Sequence, residues 1–281
     1  MKPNSRIIGR IEKYSPKIFE KSAIERNQIA YIPQFLSQAS LPKDLEDISE
    51  WRRCINKHTY SVISPSSIGV PGGAYSRLIL IRINTLAKLT KSPVINLGLK
   101  YAEFMNWMGL NQSGGTDDQG NIDTFKESFV RCINCVIHQQ SKNGNTMEFS
   151  VTPVIESAHI QSIDNWHWEP MLKLSDPFFE ASQKSAPIDI GALKCLSPGT
   201  LRMDIFCFLS SRLFYLKKET LIRWIDIEAM FATPNTVSRS FRQSFRTALA
   251  EALVFYEDAN VSTTRRGLLL KPSRMLIQPI K

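Results

Sequence analysis

The sequence has no long apolar run. None of its segments approaches the roughly 18 consecutive apolar residues that a membrane-spanning helix needs. The first residues, MKPNSRIIGRIEKYSPK, are polar and lack the apolar stretch of a signal peptide. Apolar residues still make up 43% of the 281 residues, which is the content of a folded globular protein. We therefore expect a cytoplasmic protein without a membrane partner.

Side chains that bind metals or catalyse reactions are also scarce. The five cysteines are an odd number and lie among apolar neighbours, which is typical of reduced core thiols. Cys132 and Cys135 form a CxxC pair, but a structural zinc site would need a second pair, and the sequence has none. The loop GGTDDQGN (114–121) lacks the Lys-Ser/Thr of a phosphate-binding loop. We therefore expect no catalytic residue, no metal and no cofactor.

Positive charge is concentrated in the C-terminal third. The chain carries 35 Lys and Arg against 26 Asp and Glu, a formal net charge of +9. Residues 1–71 contribute +4, residues 72–170 contribute −1 and residues 171–281 contribute +6. A basic region of this kind is typical of proteins that bind nucleic acid. The C-terminal third is therefore the expected position of a nucleic-acid interface.

The segment Pro234–Tyr256 is predicted to be one amphipathic helix. A step of about 100° per residue puts a set of apolar side chains on one side: Val237, Phe241, Phe245, Ala248 and Ala252. The other side carries Arg239, Arg242 and Arg246 with no acid between them, and these cations repel one another unless an anion lies along them. Thr233 or Asn235 is expected to cap the helix, with Pro234 in its first turn. A nucleic-acid backbone is the natural anion, and a solvated surface helix is the alternative.

The elements around this helix follow the winged-helix order. The predicted order is a helix, a short strand, a short helix, the amphipathic helix and a β-hairpin: Leu193–Leu216, Thr220–Ile222, Trp224–Phe231, Pro234–Tyr256 and Asn260–Pro272. The hairpin turns near Arg265 and Arg266. In this fold the last helix enters the major groove, and its first residues meet base edges.

This order predicts which side chains contact DNA. The residues expected at base edges and nearby phosphates are Asn235, Thr236, Ser238, Arg239, Arg242 and Gln243. Arg246, further along the helix, is expected at the phosphate backbone. Arg265, Arg266 and Lys271 are the candidate contacts of the hairpin, for which a solvated turn is the alternative.

The first half repeats the order without obvious residue identity. It contains predicted helices, a short strand and two β segments: Ala74–Leu89, Val94–Leu97, Lys100–Met108, Ile122–Ile137, Thr146–Val154 and Trp166–Leu174. The predicted fold class is therefore α+β, with two tandem winged-helix domains. The expected boundaries are an N-terminal extension at 1–59, a first domain at 60–175 and a second, DNA-binding domain at 176–281.

The helix predicted at 122–137 favours a protein contact in the first domain. Its expected buried face consists of Ile122, Phe125, Phe129, Ile133 and Val136. Its opposite side is close to neutral and is made of Asp123, Thr124, Glu127, Arg131 and His138. Acidic residues at its start would be repelled by phosphate, so we expect this domain to contact protein rather than to be the main reader of DNA, with auxiliary DNA contacts as the alternative.

Three segments resemble the plasmid RepA family of replication initiators. They are SPSSIGVPGGAYSRLILIRINTLA (64–87), NLGLKYAEFMNWMGLNQSGG (96–115) and LSDPFFEASQKSAPIDIGALKCLSPGTLRMDIFCFLSSRLFYL (174–216). In that family a loop with proline and glycine leads into the first helix, a Gly-Gly loop precedes the third, and an LS..FF segment with a later Pro-x-Asp opens the second half. The resemblance runs in order over residues 31–272.

The resemblance implies a function. Family members look like tandem winged-helix proteins that bind repeated double-stranded sites (iterons) at a plasmid origin, help to melt it, and recruit the host initiator and the replicative helicase. It also implies that the second domain is the main DNA reader and that the first supports dimerisation. The chain departs from a symmetric DNA clamp because the helix at 122–137 is less basic.

Two other functions are weighed against initiation. A winged-helix transcriptional repressor or autoregulator would use the same fold to block a promoter. A nicking enzyme of the rolling-circle type would need a His-x-His triplet before a tyrosine, which the sequence lacks. We therefore predict a plasmid-encoded bacterial initiator, linked to plasmid copy control, with no catalytic activity of its own.

Overall fold

The computed structural model describes residues 5–15, 17–98, 101–108, 118–160 and 170–277. Its helices are α1 (Ser5–Tyr14), α2 (Gly73–Thr90), α3 (Tyr101–Met108), α4 (Asp118–Asn134), α5 (Asp176–Gln183), α6 (Ile190–Leu196), α7 (Thr200–Tyr215), α8 (Trp224–Phe231) and α9 (Ser238–Leu253). Its strands are β1 (Ile29–Ile32), β2 (Glu50–Ile55), β3 (His58–Ile63), β4 (Val94–Asn96), β5 (Val136–Asn143), β6 (Thr146–Pro153), β7 (Ile155–His159), β8 (Met171–Leu174), β9 (Ala186–Asp189), β10 (Thr220–Arg223), β11 (Val261–Thr263) and β12 (Gly267–Leu270). The fold is mixed, with helices and antiparallel sheets.

The chain forms two compact units, which we call unit 1 and unit 2. Unit 1 combines residues within 1–40, 53–56 and 186–281, and unit 2 combines residues 41–52 and 57–185. This division differs from the predicted one at 1–59, 60–175 and 176–281. The first 40 residues group with the C-terminal part of the chain, and α5 groups with unit 2.

Strand pairing explains why the N-terminal residues belong to unit 1. Strand β1 pairs with β9 in an antiparallel register that places Ile29 opposite Asp189. The Asp189 carboxylate caps α6 by accepting hydrogen bonds from the backbone nitrogens of Gly191 (2.9 Å) and Ala192 (3.2 Å). Helix α1 packs on α6, and Arg10 Nε donates to the Cys195 oxygen over 3.0 Å.

The core of unit 1 forms where α7, α8 and α9 pack together. Phe245 from α9 meets Phe231 of α8 at 5.9 Å between ring centroids, and Phe231 meets Phe208 of α7 edge-on at 5.7 Å. Fully burying one such aromatic side chain stabilises a fold by roughly 1.5–3 kcal/mol. Beside the helices, β12 lies between β10 and β11 in an antiparallel sheet, with Arg223 opposite Gly267.

Unit 2 is built around α2 and two antiparallel sheets. Leu78, Ile79, Leu80 and Ile81 are successive residues of α2 and are all fully buried, so this helix is buried on every side. One sheet has the strand order β2, β3, β5, β6 and the other has the order β4, β8, β7.

The predicted hairpin between 146–154 and 166–174 is wrong. Strand β6 pairs with β5 instead, and β8 pairs with β7. Helix α4 ends at Asn134, and residues 136–143, whose first part was predicted to be helical, form β5. His138 consequently lies on a strand. Residues 114–117 and 166–169 of the predicted segments lie outside the described residues.

Arg131 also departs from its predicted position on an exposed face. It is buried, and its guanidinium donates to the carboxylates of Asp47 (2.5 Å) and Glu127 (2.6 Å) and to the main-chain oxygen of Glu46 (2.6 Å). The expected buried residues Ile122, Phe125 and Phe129 do lie in the core. Arg131 therefore fastens the 46–47 segment to α4, a tertiary role that helical periodicity does not reveal.

Candidate nucleic-acid interface

Helix α9 begins at Ser238, four residues later than predicted. Its N-cap residue is Val237, which makes no side-chain cap hydrogen bond. The Thr236 backbone nitrogen donates to the Thr233 oxygen over 3.2 Å, and Asn235 adopts a left-handed conformation with φ of 63°. Asparagine tolerates that conformation better than most residues, so a turn replaces the first helical turn. The prediction that Thr233 or Asn235 caps the helix with Pro234 in its first turn is wrong.

Most of the predicted apolar face of α9 is buried. Phe241, Phe245, Ala248 and Ala252 lie in the core of unit 1. Val237 was predicted to lie with them, but 70% of it is exposed because it precedes the helix. The rest of the core-facing side has the expected spacing of three to four residues.

Helix α8 supplies an acid to the arginines of α9, which have no acid between them along the sequence. The two oxygens of the Glu228 carboxylate are both used: Oε1 accepts from Arg242 Nε over 2.7 Å, and Oε2 accepts from Ser238 Oγ over 2.9 Å. Side-chain exposure is 38% for Arg242 and 20% for Glu228, so this ion pair is partly shielded from water. The sequence shows no acid between the three arginines, and the structure adds one from a neighbouring helix, since Glu228 of α8 pairs with Arg242.

The Trp224 ring, which the sequence did not single out, lies against two of these arginines. The guanidinium carbons of Arg242 and Arg246 are 5.5 Å and 5.2 Å from the ring centroid. Phe245 meets the ring edge-on at 5.7 Å, and Trp224 itself is buried. A cation over an aromatic face is attracted by about 0.5–1 kcal/mol when exposed and by more when desolvated.

The hairpin turn between β11 and β12 is tied to the same tryptophan. Trp224 Nε1 donates to the Thr264 oxygen over 3.1 Å, and the Trp224 backbone nitrogen donates to the Arg266 oxygen over 3.2 Å. Thr264 Oγ1 accepts from the backbone nitrogens of Arg266 (3.2 Å) and Gly267 (3.1 Å). The side chains of Arg265 and Arg266 are exposed at this turn. Lys271 lies after β12 and pairs with Glu219 at 3.2 Å.

A buried arginine supports the segment that leads into α9. Arg53 donates to the oxygen of Ala232, the residue that ends α8, and to Ser40 Oγ over 2.8 Å. Ser40 Oγ in turn donates to the Met230 oxygen over 2.9 Å. Both Arg53 and Ser40 lie in the predicted N-terminal extension, so sequence reasoning missed their contribution.

The structure therefore distinguishes the predicted site residues by their exposure and by their contacts. The predicted residues that are exposed before and on α9 are Asn235, Thr236, Ser238, Arg239, Gln243 and Arg246. Arg239 forms no ion pair with any described residue. Ser238, Arg242 and Arg246 are held by Glu228 or Trp224. At the start of α8, a hydrogen bond from Arg223 to Asp226 raises the pKa of the exposed Arg223 guanidinium.

None of the described helices is long and apolar enough to cross a membrane. In the same part of the chain, His, Cys, Asp and Glu side chains form no group of three or more that could hold a metal ion.

The comparisons with known proteins identify the family. The family described as "Plasmid encoded RepA protein" matches residues 70–225, which is more than half of the chain. This match places the molecule in the class of plasmid replication initiators. The chain belongs to the plasmid-encoded RepA protein family, which confirms the resemblance found in its sequence. The matched segment ends before α9 begins.

Solved structures support the fold independently. A crystal structure of domains 2 and 3 of RctB is 13% identical, covers 86% of this chain and 96% of its own, and has a TM-score of 0.55. A second RctB structure, of residues 155–483, is 10% identical and has a TM-score of 0.51. The match covers 84% of this chain and 96% of the RctB chain. At these identities the likeness concerns the fold alone. A comparison with curated proteins finds no match.

Proposed function

We propose that this family member initiates plasmid replication by binding repeated double-stranded sites at the origin, with unit 1 as the main DNA reader. The observation that carries the proposal is the clustering of cations around α9 and the β11–β12 turn. Arg239, Arg242 and Arg246 lie on one helix, and Trp224 ties that helix to the turn that exposes Arg265 and Arg266. Such a surface matches the charge of a DNA backbone.

We interpret the elements from α7 to β12 as a winged helix. They follow the order helix, strand, helix, helix and hairpin, with β10 completing the sheet of the hairpin. Unit 2 has the same order from α2 through β4, α3 and α4 to the β5–β6 hairpin. On this interpretation α9 enters the major groove and the β11–β12 turn contacts a neighbouring groove or phosphate.

For unit 2 we propose homodimerisation. Strand β6 is at the edge of its sheet, and its alternate residues Met147, Phe149 and Val151 are large, apolar and exposed. A water-exposed edge with an apolar row is suited to pairing with another strand. Sedimentation or light scattering at increasing concentration should detect a dimer, and Phe149→Lys should shift it to the monomer. A wild-type chain that stays monomeric at high concentration would contradict dimerisation.

We propose the remaining parts of the function from the resemblance to the family. They are opening of the origin, recruitment of the host initiator and replicative helicase, action in the bacterial cytoplasm, and the absence of a catalytic activity. Covalent attachment of the protein to labelled DNA would contradict the non-catalytic part.

The DNA-binding proposal is tested by salt titration. If α9 and the hairpin turn make roughly four to eight phosphate contacts, binding to the origin repeats should weaken by about 0.9 log unit per contact for each log unit of salt. Affinity is measured by fluorescence anisotropy on labelled duplexes between low and physiological salt. A nearly flat titration would exclude the electrostatic interface.

A maintenance assay separates initiation from repression. The protein is supplied in trans to a plasmid that carries only the origin and a selectable marker. An initiator keeps this plasmid replicating, whereas a winged-helix repressor or autoregulator does not. Loss of the plasmid despite sequence-specific binding would favour the repressor.

A further inference from the structure

We propose that Glu228 determines DNA specificity by holding Arg242 so that its two terminal nitrogens bind one guanine in the major groove. Glu228 is not among the residues predicted to contact DNA, and it would not touch DNA itself. It acts as a positioning residue for Arg242. The inference rests on the proposed function of unit 1 and names the base that this part of α9 reads.

The geometry of the carboxylate restricts Arg242. Oε1 of Glu228 is 2.7 Å from Arg242 Nε, and Oε2 is 2.9 Å from Ser238 Oγ. Arg242 and Ser238 are one turn apart on α9, so a single carboxylate on α8 bridges consecutive turns of the helix. Because both oxygens are occupied, the carboxylate is fixed from two directions.

Trp224 is the second group, after Glu228, that restricts the Arg242 guanidinium. The Arg242 guanidinium carbon lies 5.5 Å from the ring centroid, and Trp224 is itself held by hydrogen bonds to Thr264 and Arg266. The ring and the carboxylate together limit rotation of the side chain. Less conformational entropy is then lost when Arg242 binds a partner.

The hydrogen-bond donors that Arg242 keeps available indicate which group it binds. Nε is occupied by Glu228, while the two Nη nitrogens make no hydrogen bond with any described residue. Two parallel N–H donors match the two acceptors O6 and N7 of guanine, the commonest specific contact in the major groove. Phosphate is a poorer partner here because Glu228 places a negative charge beside the guanidinium. Specificity thus arises from attraction to guanine together with repulsion of the backbone.

The test compares two carboxylates on α8. Glu228→Ala removes the partner of Arg242. Asp226→Ala is the matched control because it removes the same charge from the same helix and also releases an arginine, Arg223, whose Nε lies 2.9 Å from Asp226. The probes are a duplex selected by the wild-type full-length chain from a randomised pool and an unrelated duplex of equal length. Each guanine of the selected duplex is also replaced, one at a time, by 7-deazaguanine, which lacks N7.

The expected results separate specificity from bulk charge. Asp226→Ala should strengthen binding to both duplexes equally and leave their ratio unchanged. Glu228→Ala should strengthen binding to the unrelated duplex only, which lowers the ratio about ten-fold. At one guanine, 7-deazaguanine should weaken wild-type binding by about 5- to 100-fold. That penalty should nearly vanish in Glu228→Ala and Arg242→Ala and persist in Asp226→Ala.

Other outcomes would overturn the inference. If Glu228→Ala keeps both the wild-type ratio and the wild-type 7-deazaguanine penalty, Glu228 has no role in specificity, while DNA binding by unit 1 stands. If the wild-type chain binds both duplexes equally, the proposed function fails first and the inference fails with it. Circular dichroism melts check that the variants fold. Should Glu228→Ala unfold, Glu228→Met, which keeps the length of the side chain and removes both carboxylate oxygens, is measured with the same expectations.

Discussion

Trp224 donates from its indole nitrogen to the main-chain oxygen of Thr264 over 3.1 Å. The face of the same ring lies against the guanidinium groups of Arg242 and Arg246. One side chain at the start of α8 therefore supports both the hairpin turn and the arginines of α9. Displacing this ring would alter both candidate DNA contacts together.

The first prediction concerns that tryptophan. Trp224→Phe keeps an aromatic face but loses the donor to Thr264, so it should lower the free energy of unfolding by about 1–2 kcal/mol. Trp224→Leu also loses the cation–π contacts and should cost more. Urea unfolding measures both variants. Equal stability of Trp224→Phe and wild type would show that the hydrogen bond contributes nothing to the turn.

The second prediction separates two arginines of α9. Arg242→Ala should cost about 1–3 kcal/mol of binding and relax the sequence preference. Arg246→Ala should weaken binding to all duplexes alike. It should also reduce the slope of log affinity against log salt concentration by the contribution of about one phosphate contact. Anisotropy titrations at several salt concentrations measure both effects. Arg212→Ala, which removes an exposed cation from α7, serves as the control and should leave the sequence preference unchanged.

The third prediction concerns close packing at the hairpin. A Cβ atom added at Gly267 would lie 1.8 Å from the Ile222 main-chain oxygen, so β10 or β12 would have to move. Gly267→Ala should therefore lower the free energy of unfolding by about 2 kcal/mol or more. Gly9→Ala is the control because Gly9 lies in α1 with no atom near the added Cβ, and it should stabilise the chain by about 0.5–1 kcal/mol. If Gly267→Ala leaves the free energy of unfolding unchanged, the sheet accommodates the added Cβ without loss of stability, which would contradict the prediction.

The fourth prediction is a dependence of stability on pH. Burial raises the pKa of the Cys135 and Cys195 thiols to about 12, whereas an unfolded cysteine ionises near pH 8.5. Since the unfolded chain loses these protons first, their contribution is complete below about pH 8.5 and is lost as the pH rises towards 12. Each thiol then lowers the free energy of unfolding by about 1.4 kcal/mol per pH unit.

Urea unfolding between pH 8 and 10 measures this slope. Cys135→Ala should make the slope shallower by the contribution of one thiol. Cys54→Ala, which removes an exposed cysteine, is measured alongside as the matched control. A slope that Cys135→Ala does not alter would contradict the assignment.

Local patterns predicted the parts of unit 1 that depend on local geometry. Phe241 and Phe245 follow the helical period, and their burial was predicted from that period alone. The hairpin was predicted at Asn260–Pro272 with its turn near Arg265 and Arg266, and β11 and β12 pair on either side of that turn. In both cases the information lies within a few residues along the chain.

The contacts that define the candidate site depend on distant residues. Glu228 reaches Arg242 because α8 packs beside α9, and Arg53 reaches Ala232 from the opposite end of the sequence. The periodicity of apolar residues along a helix or strand does not indicate which distant residues are in contact. The start of α9 was misplaced for a related reason, since Thr233 and Asn235 resemble helix caps in sequence but lie in a turn that is closed by the hydrogen bond from the Thr236 nitrogen to the Thr233 oxygen.

The pairing of Ile29 with Asp189 has a consequence for biosynthesis. At roughly 5–20 residues per second, a ribosome needs on the order of ten to thirty seconds to translate the intervening residues. During that time β1 has no partner strand, while unit 2, encoded between the two, can already fold. Unit 1 is therefore completed late in translation, and a prematurely terminated chain would contain unit 2 without a finished unit 1.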